Sequence, residues 1–595
     1  MIRKIVAGVS LILLAISLAA AASKPNLVLI TLDSTRADRM GFLGGKGALT
    51  PNLDRLARES IVFERAYSQA PSSVVSHATI LSGAYPQSTG MNEIGGTLSP
   101  SSSLPYLPEL LKTQGYRTAA FVGSIDLDPS NGLAQGFDRG FQTYDAGFRP
   151  AIPGDARPPE TERRGSHVVA RALAWLDHNA REQEQGQFFL WIHIADVQIE
   201  EVHVSDARAP NSSYNSAITA SDAAVGKLIT ALQQRKIYEN TAVIVVADHG
   251  ESLGAHGEDT HGIFLYDETI HVPLLIKLPE GQPATKLAAT RVAAKVRLVD
   301  ISPTLLEIAA IPVPSQMQGQ SLLRIAKSKS TPSGGSGSDQ PVYSRTDLPL
   351  RGFGWSPLES WRAGKYLYIR APKAELYDLA ADPAAAHNLA QTAKATLDTM
   401  AAQLDNFDRH FSGEVGKSAG LSSSEMQKLA SLGYVGLQKS SASAAAVAGT
   451  DPKDKIAIAN KVIGAALGRD QSKPGFANAN ARAIAALEPI VSADPNLYLA
   501  QYTLGVAMAG KAQYTEAAQH LHKAIELQPD SAWAHYEIGA CLLKTKTGDF
   551  KTAIVHLEIA TGRLPGFTPA HTALAGAYEL AGRPEDAKKE RMKVK

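Results

Sequence analysis

A single cysteine, Cys541, in 595 residues excludes a disulfide framework within the chain and any metal cluster built on cysteine ligands. Neither sign of charge is in excess: 59 Lys and Arg stand against 58 Asp and Glu, a formal net charge of +1. That balance removes the electrostatic basis for binding nucleic acid or an anionic membrane surface. Long apolar runs are also scarce. The one from Ile5 to Leu18 follows Arg3 and Lys4 and leads into small residues ending near Ala22, the pattern of a secretory signal over residues 1–22. An uncleaved anchor is the alternative, since the following alanines lengthen the run. Both versions predict a periplasmic or secreted protein with no further membrane span.

What is present in quantity is alternation. "NLVLITL" (Asn26 to Leu32), "TAAFVG" (Thr118 to Gly123), "FFLWIHI" (Phe188 to Ile194), "TAVIVVA" (Thr241 to Ala247) and "VPLLIKL" (Val272 to Leu278) read as strands covered on both faces. Helical patterns lie between them, such as Val225, Leu228, Ile229 and Leu232 on one face. This predicts an α/β domain with a mostly parallel sheet flanked by helices, its ligands at the carboxyl ends of the strands. "GKYLYIRAPKAELYDLAADP" predicts two short closing strands. Ser330–Pro341 reads as a flexible insertion, and residues 438–451 as a linker between a domain at 24–437 and another at 452–595. The last region repeats: Pro495 and Pro529 are 34 residues apart, as are Leu504 and Ile538, with a third copy near Pro565 and Leu574. Small residues recur at Ala517, Ala524, Ala553 and Ala560, where paired helices must approach closely. That period is similar to tetratricopeptide (TPR) repeats, an all-α solenoid that binds a protein or peptide partner.

Polar residues gather at the strand ends. Asp33 ends the first strand, and Asp248-His249-Gly250 ends another, with Glu251, His256 and His261 close behind. An acid beside an imidazole at a strand end offers two metal ligands. In "APSSVVSHATILSGAYP" either Ser72 or Ser73 can cap the helix that follows Pro71. A hydroxyl there also faces free N–H groups and the positive end of the helix dipole, suited to an anionic ester.

The ordered set "PNLVLITLDSTRAD", "TPNLDRLARESIVFERAYSQAPSSVVSHATILSGAYP", "TAVIVVADHGESLGAHGE", "HGIFLYDETIHVPLLI" and "ELYDLAADP" resembles the sulfatase-like branch of the alkaline phosphatase superfamily, from Asn26 to about Gly436. "LASLGYVG" (Leu429 to Gly436) looks like a tail that many such proteins carry. The resemblance implies a divalent metal held by Asp33, Asp248 and His249, with the nucleophile as a further ligand. Aligned back from "LSGAYP", the nucleophile position falls on Ser73, and His77, which stands where true sulfatases have arginine, is implied as a second catalytic residue. Those enzymes oxidise a cysteine or serine followed by x-Pro-x-Arg to formylglycine; Ser73-Val74-Val75-Ser76-His77 lacks both signals, which implies an unmodified catalytic serine. Ser34 stands for a second aspartate and His249 for asparagine, favouring zinc or manganese, one or two ions, over calcium or magnesium. For a second ion, Asp196 and His261 fit the pattern of hydroxyl-nucleophile relatives, but Gln198 replaces their histidine, with Glu200 or His203 as substitutes. The implied function is an exported metal-dependent hydrolase of sulfate or phosphate esters, phosphate slightly favoured, acting on a small-molecule, glycan or lipid ester. The competing expectation is a weak or inactive scaffold whose repeats bind protein.

Overall fold

A computed structural model describes residues 24–93, 96–99, 104–131, 133–148, 162–181, 186–197, 210–281, 287–327, 339–411, 425, 429, 449–468, 478–545 and 548–594. The signal segment, Gln198, Glu200, His203, most of the Ser330–Pro341 insertion and linker residues 438–448 lie outside them.

The strands in chain order are β1 (Asn26–Leu32), β2 (Ile61–Tyr67), β3 (Gly96–Thr97), β4 (Arg117–Phe121), β5 (Ala134–Gln135), β6 (Thr143–Asp145), β7 (Phe188–Ile194), β8 (Thr241–Ala247), β9 (His271–Lys277) and β10 (Arg291–Arg297). Eight of them form one sheet in the order β10-β2-β9-β8-β1-β7-β4-β6, in which β9 alone runs against the rest. β3 and β5 pair separately. β1, β7 and β8 keep the bounds expected from their apolar runs, and every residue of each is buried. Helices cover both faces of such strands, as uninterrupted apolar sequence requires. One of them, Ser73–Ser82, is buried over its whole length, so its polar residues Ser73, Ser76 and His77 face other parts of the protein rather than solvent.

A second sheet is antiparallel: β11 (Val342–Thr346), β12 (Leu358–Ala363), β13 (Tyr366–Arg370) and β14 (Glu375–Asp378). The Lys394–Phe411 helix packs on it through Met400, Leu404 and Phe407.

The repeat region is helical throughout its described residues. Helix pairs Tyr498–Gly510 with Tyr514–Leu527, Ala532–Lys544 with Phe550–Arg563, and Thr568–Leu580 with Pro584–Arg591 follow one another, the first helices starting 34 and then 36 residues apart, so the third copy is displaced by two residues. Gly505 and Gly539 set the approach within the first two pairs: a Cβ there would lie 2.7 Å from the Cγ of Leu521 and Leu557 respectively. Ala517, Ala524, Ala553 and Ala560 are fully buried between these helices.

The repeats are docked rather than tethered. One apolar cluster joins Ile263, Phe264, Leu265, Phe353 and Trp355 of the α/β domain to Leu497, Tyr498 and Leu504. Asn460 donates to the Gly257 carbonyl (2.8 Å) and accepts from the Asp259 amide (3.2 Å). At the end of the expected linker, the Thr450 carbonyl accepts from the Ser356 amide and buried Asp451 accepts from the Lys373 amide. Among the described residues no helix is long and apolar enough to cross a membrane.

Candidate active site

Sheet register builds the site. β1 lies between β7 and β8, with Thr31 opposite both His193 and Val246. The ladder runs one residue further, Asp33 N–H to Ile194 O and Asp248 N–H to Leu32 O. Side chains alternate along strands, so Thr31 and Asp33 project to one side with His193 and Asp248. The Ser73–Ser82 helix covers that side.

Ser72 occupies the N-cap with extended backbone, and Ser73 is the first helical residue. Ser73 Oγ lies 3.2 Å from Asp33 Oδ1 and 3.1 Å from His249 Nε2. His249 Nδ1 is 2.8 Å from the Gly250 carbonyl. A carbonyl only accepts, so Nδ1 carries the proton and Nε2 turns a lone pair to Ser73. Asp248 Oδ1 accepts the amides of Ser34 and His249, which leaves Oδ2 for the site, 3.8 Å from His249 Nε2. Ser34, at the position of the missing second aspartate, donates its hydroxyl to Asp33 Oδ1 at 3.0 Å and so orients that carboxylate.

His77 is fully used by its neighbours. Its Nδ1 is 2.7 Å from the Ser73 carbonyl and therefore donates. Its Nε2 then accepts from the Thr31 hydroxyl at 2.9 Å, whose oxygen takes the Trp191 indole N–H at 3.0 Å. A neutral ring with both nitrogens occupied has no proton to give a substrate, and it fixes the first turn of the helix. Burial, together with the charge of His193, holds its pKa far below the ordinary histidine value.

The charges are unbalanced in a telling way. Burial lifts Asp33, but contact with His193 and the charges of His249 and His261 more than offset this and hold it below the usual carboxylate range. Burial, reinforced by the charge of Asp33, lifts Asp248 well above that range. Burial, helped by His261, pushes His249 down to about 3. Asp33 Oδ2 and Asp248 Oδ2 are buried without a hydrogen bond. Two carboxylates and a lone pair converge with too few protons to serve them, an arrangement that fits a cation. Ligand atoms of Asp33, Asp248 and His249 all lie within 4.8 Å of one another. A second compact group, His77, His193 and Asp248, is weaker because both His77 nitrogens are already committed.

Of the remaining expected residues, His261 touches this centre, while His256 and Asp196 are engaged elsewhere. The His261 ring is 4.4 Å from that of His249, with its Nδ1 2.8 Å from Glu251 Oε2. His256 stacks on Tyr266 with ring centroids 3.6 Å apart. Asp196 is buried but accepts the Gly165 amide at 3.0 Å, at the start of the Gly165–Arg181 helix; neither compact ligand group includes it. His193 was not singled out by sequence. Its signal was a lone imidazole in an otherwise apolar strand, two residues from Trp191 and hence on the same face.

Comparison with known proteins gives the family and the fold. A family model described as Sulfatase matches residues 25–311, one described as N-sulphoglucosamine sulphohydrolase, C-terminal, matches 259–409, and a TPR repeat matches 510–546. The chain is 27% identical over 430 residues to an ulvan-active sulfatase of Formosa agariphila, covering 64% of this chain and 80% of that protein. It is 27% identical over 379 residues to N-acetylgalactosamine-6-sulfatase of Canis lupus familiaris, 55% of this chain and 69% of the relative. The fold is similar to that of the phosphonate monoester hydrolase of Agrobacterium radiobacter, with TM-score 0.51 and 18% identity over 65% of this chain and 96% of that one.

Proposed function

We propose, for a chain that belongs to the sulfatase family over residues 25–409 and carries TPR repeats behind it, an exported, divalent-metal-dependent ester hydrolase whose nucleophile is the unmodified hydroxyl of Ser73. The observation that carries this reading is the position of Ser73 Oγ, at the N-terminus of a buried helix and 3.1–3.2 Å from His249 Nε2 and Asp33 Oδ1. Asp33, Asp248, His249 and Ser73 would hold the ion, and the imidazole among them favours zinc or manganese over calcium. When bound, the ion lowers the pKa of a neighbouring hydroxyl and offsets charge on the ester oxygens.

The chain does the rest. The free N–H groups of the first helical turn face the anionic ester, and His77 and Thr31 keep that turn in place. Ser73 Oγ attacks phosphorus, the alcohol departs, and phosphoserine forms; water then cleaves it, returning the hydroxyl and inorganic phosphate. The absence of proline and arginine after Ser73 supports a plain serine. A sulfate ester is the second reading, favoured by the ulvan-active and N-acetylgalactosamine-6-sulfatase relatives; the same relatives favour a glycan as the alcohol. The basic and apolar start, Arg3 to Leu18, supports export, and the repeats support a protein or peptide partner.

Purified full-length protein, assayed with aryl phosphate monoesters, aryl phosphate diesters and aryl sulfates after metal analysis, tests this. The expected result is bound zinc or manganese and phosphate-ester turnover that Ser73→Ala abolishes. Preference for aryl sulfate would replace the substrate assignment, and no turnover of any ester with added metal would leave the inactive scaffold standing.

A further inference from the structure

We propose that His193 is a direct ligand of the buried ion, so that two imidazoles, His193 beside Asp33 and His249 beside Asp248, complete the centre. This rests on the metal-dependent reading above. His193 is 0% exposed inside β7, and among the described residues neither of its ring nitrogens has a partner at full hydrogen-bond geometry, its one polar contact being the long one to Asp33. Its Nε2 lies 3.4 Å from Asp33 Oδ2, an oxygen equally without such a partner. Buried imidazole nitrogens and carboxylate oxygens are rarely left so.

Distance separates the two ways of joining them. An N–H that donates to a carboxylate closes to about 2.7–2.9 Å. Two donors bound to one tetrahedral zinc at ~2.0–2.1 Å stand ~3.3–3.4 Å apart. The His193–Asp33 separation is 3.4 Å, and Ser73 stands 3.2 Å from Asp33 and 3.1 Å from His249. The His193–Asp33 pair therefore has the spacing of two ligands of one cation, and His193 also falls with Asp248 in a compact group of ligand atoms.

The sheet explains why His193 is available. Opposite Thr31 in the β1–β7 register, it shares a face with Asp33, while Thr31 itself is taken by Trp191 and His77. Among the described residues no other side chain hydrogen-bonds His193. The His77 ring meets it edge-on, with centroids 4.9 Å apart, which sets its plane without using its nitrogens.

Crystals of the zinc-loaded full-length protein, with zinc located by anomalous scattering, give the test. The expected result is His193 Nε2 at ~2.0–2.1 Å from zinc. Zinc present on Asp33, Asp248 and His249 with His193 Nε2 beyond about 3 Å, outside bonding range, would overturn this proposal alone. No zinc at these residues would remove the metal-dependent reading and this one with it. In solution, His193→Gln should weaken zinc binding by more than the ~10–100-fold that losing a partner behind a ligand costs, while the metal-free protein keeps its circular dichroism spectrum. Unchanged zinc affinity in the folded variant would also overturn the proposal. If His193→Gln does not fold, the wild-type crystal decides.

Discussion

At the scale of single residues, the site is a contest between acceptors and protons. Asp33, Asp248 and His249 offer more lone pairs than the surrounding donors satisfy, and Ser73 has one proton for two acceptors. These four were legible because each ends an apolar run or falls in a motif. His193 was not, since its partner Asp33 is remote in the chain and only sheet register brings them together. The role expected of His77 also changed with coordinates, because hydrogen bonds to Ser73 O and Thr31 use both nitrogens. His77→Ala would leave Thr31 without its acceptor and open a cavity under the helix. Unfolding free energy should fall by about 2–4 kcal/mol, measured by urea titration; an unchanged value would show that the ring does not hold the helix.

At the scale of elements, β1, β7 and β8 were readable because burial on both faces demands unbroken apolar sequence. β2 ("IVFERAY") and β10 ("RVAAKVR") were not, because their charges are paired in the fold: Arg291 of β10 with Glu64 of β2 at 2.7 Å, Arg297 with Asp300 at 2.8 Å, and Lys295 with Asp339. The loop after Asp248 owes its shape to one buried acid. Glu258 accepts from the Ile263 amide at 2.7 Å, the Ser252 hydroxyl at 3.1 Å and the Phe264 amide at 3.3 Å. Glu258→Gln would turn an NH₂ toward one of these donors, and stability should drop by about 1–3 kcal/mol. Burial pushes Glu258 up to about 7 from 4.5. Between those values the folded chain holds a proton that the unfolded chain has lost. Its contribution is thus complete below pH 4.5 and fades as pH rises toward 7. Thermal melts of wild type and Glu258→Gln across that range should converge with rising pH; a constant gap would contradict the assignment.

At the scale of the whole molecule, the 34-residue period announced the solenoid, but nothing in it announced where the solenoid docks. The docking residues are ordinary apolar side chains, Ile263, Phe264, Phe353 and Trp355 against Leu497, Tyr498 and Leu504. Asn460 holds Gly257 and Asp259, in the loop that also carries His261. Removing residues 449–595 should therefore lower the melting temperature of the remaining domain and reduce kcat, since the site loop loses its support. A truncated domain with wild-type melting and turnover would show the repeats to be an independent appendage.

The central claim is that serine, as serine, is the nucleophile at position 73. Peptide mass spectrometry of metal-loaded protein, acid-quenched during turnover of an aryl phosphate, tests it most directly. The account predicts unmodified Ser73 in the resting protein and phosphorylated Ser73 in the quenched sample. Formylglycine at position 73, or phosphate release with no phosphoserine and full turnover in Ser73→Ala, would contradict it.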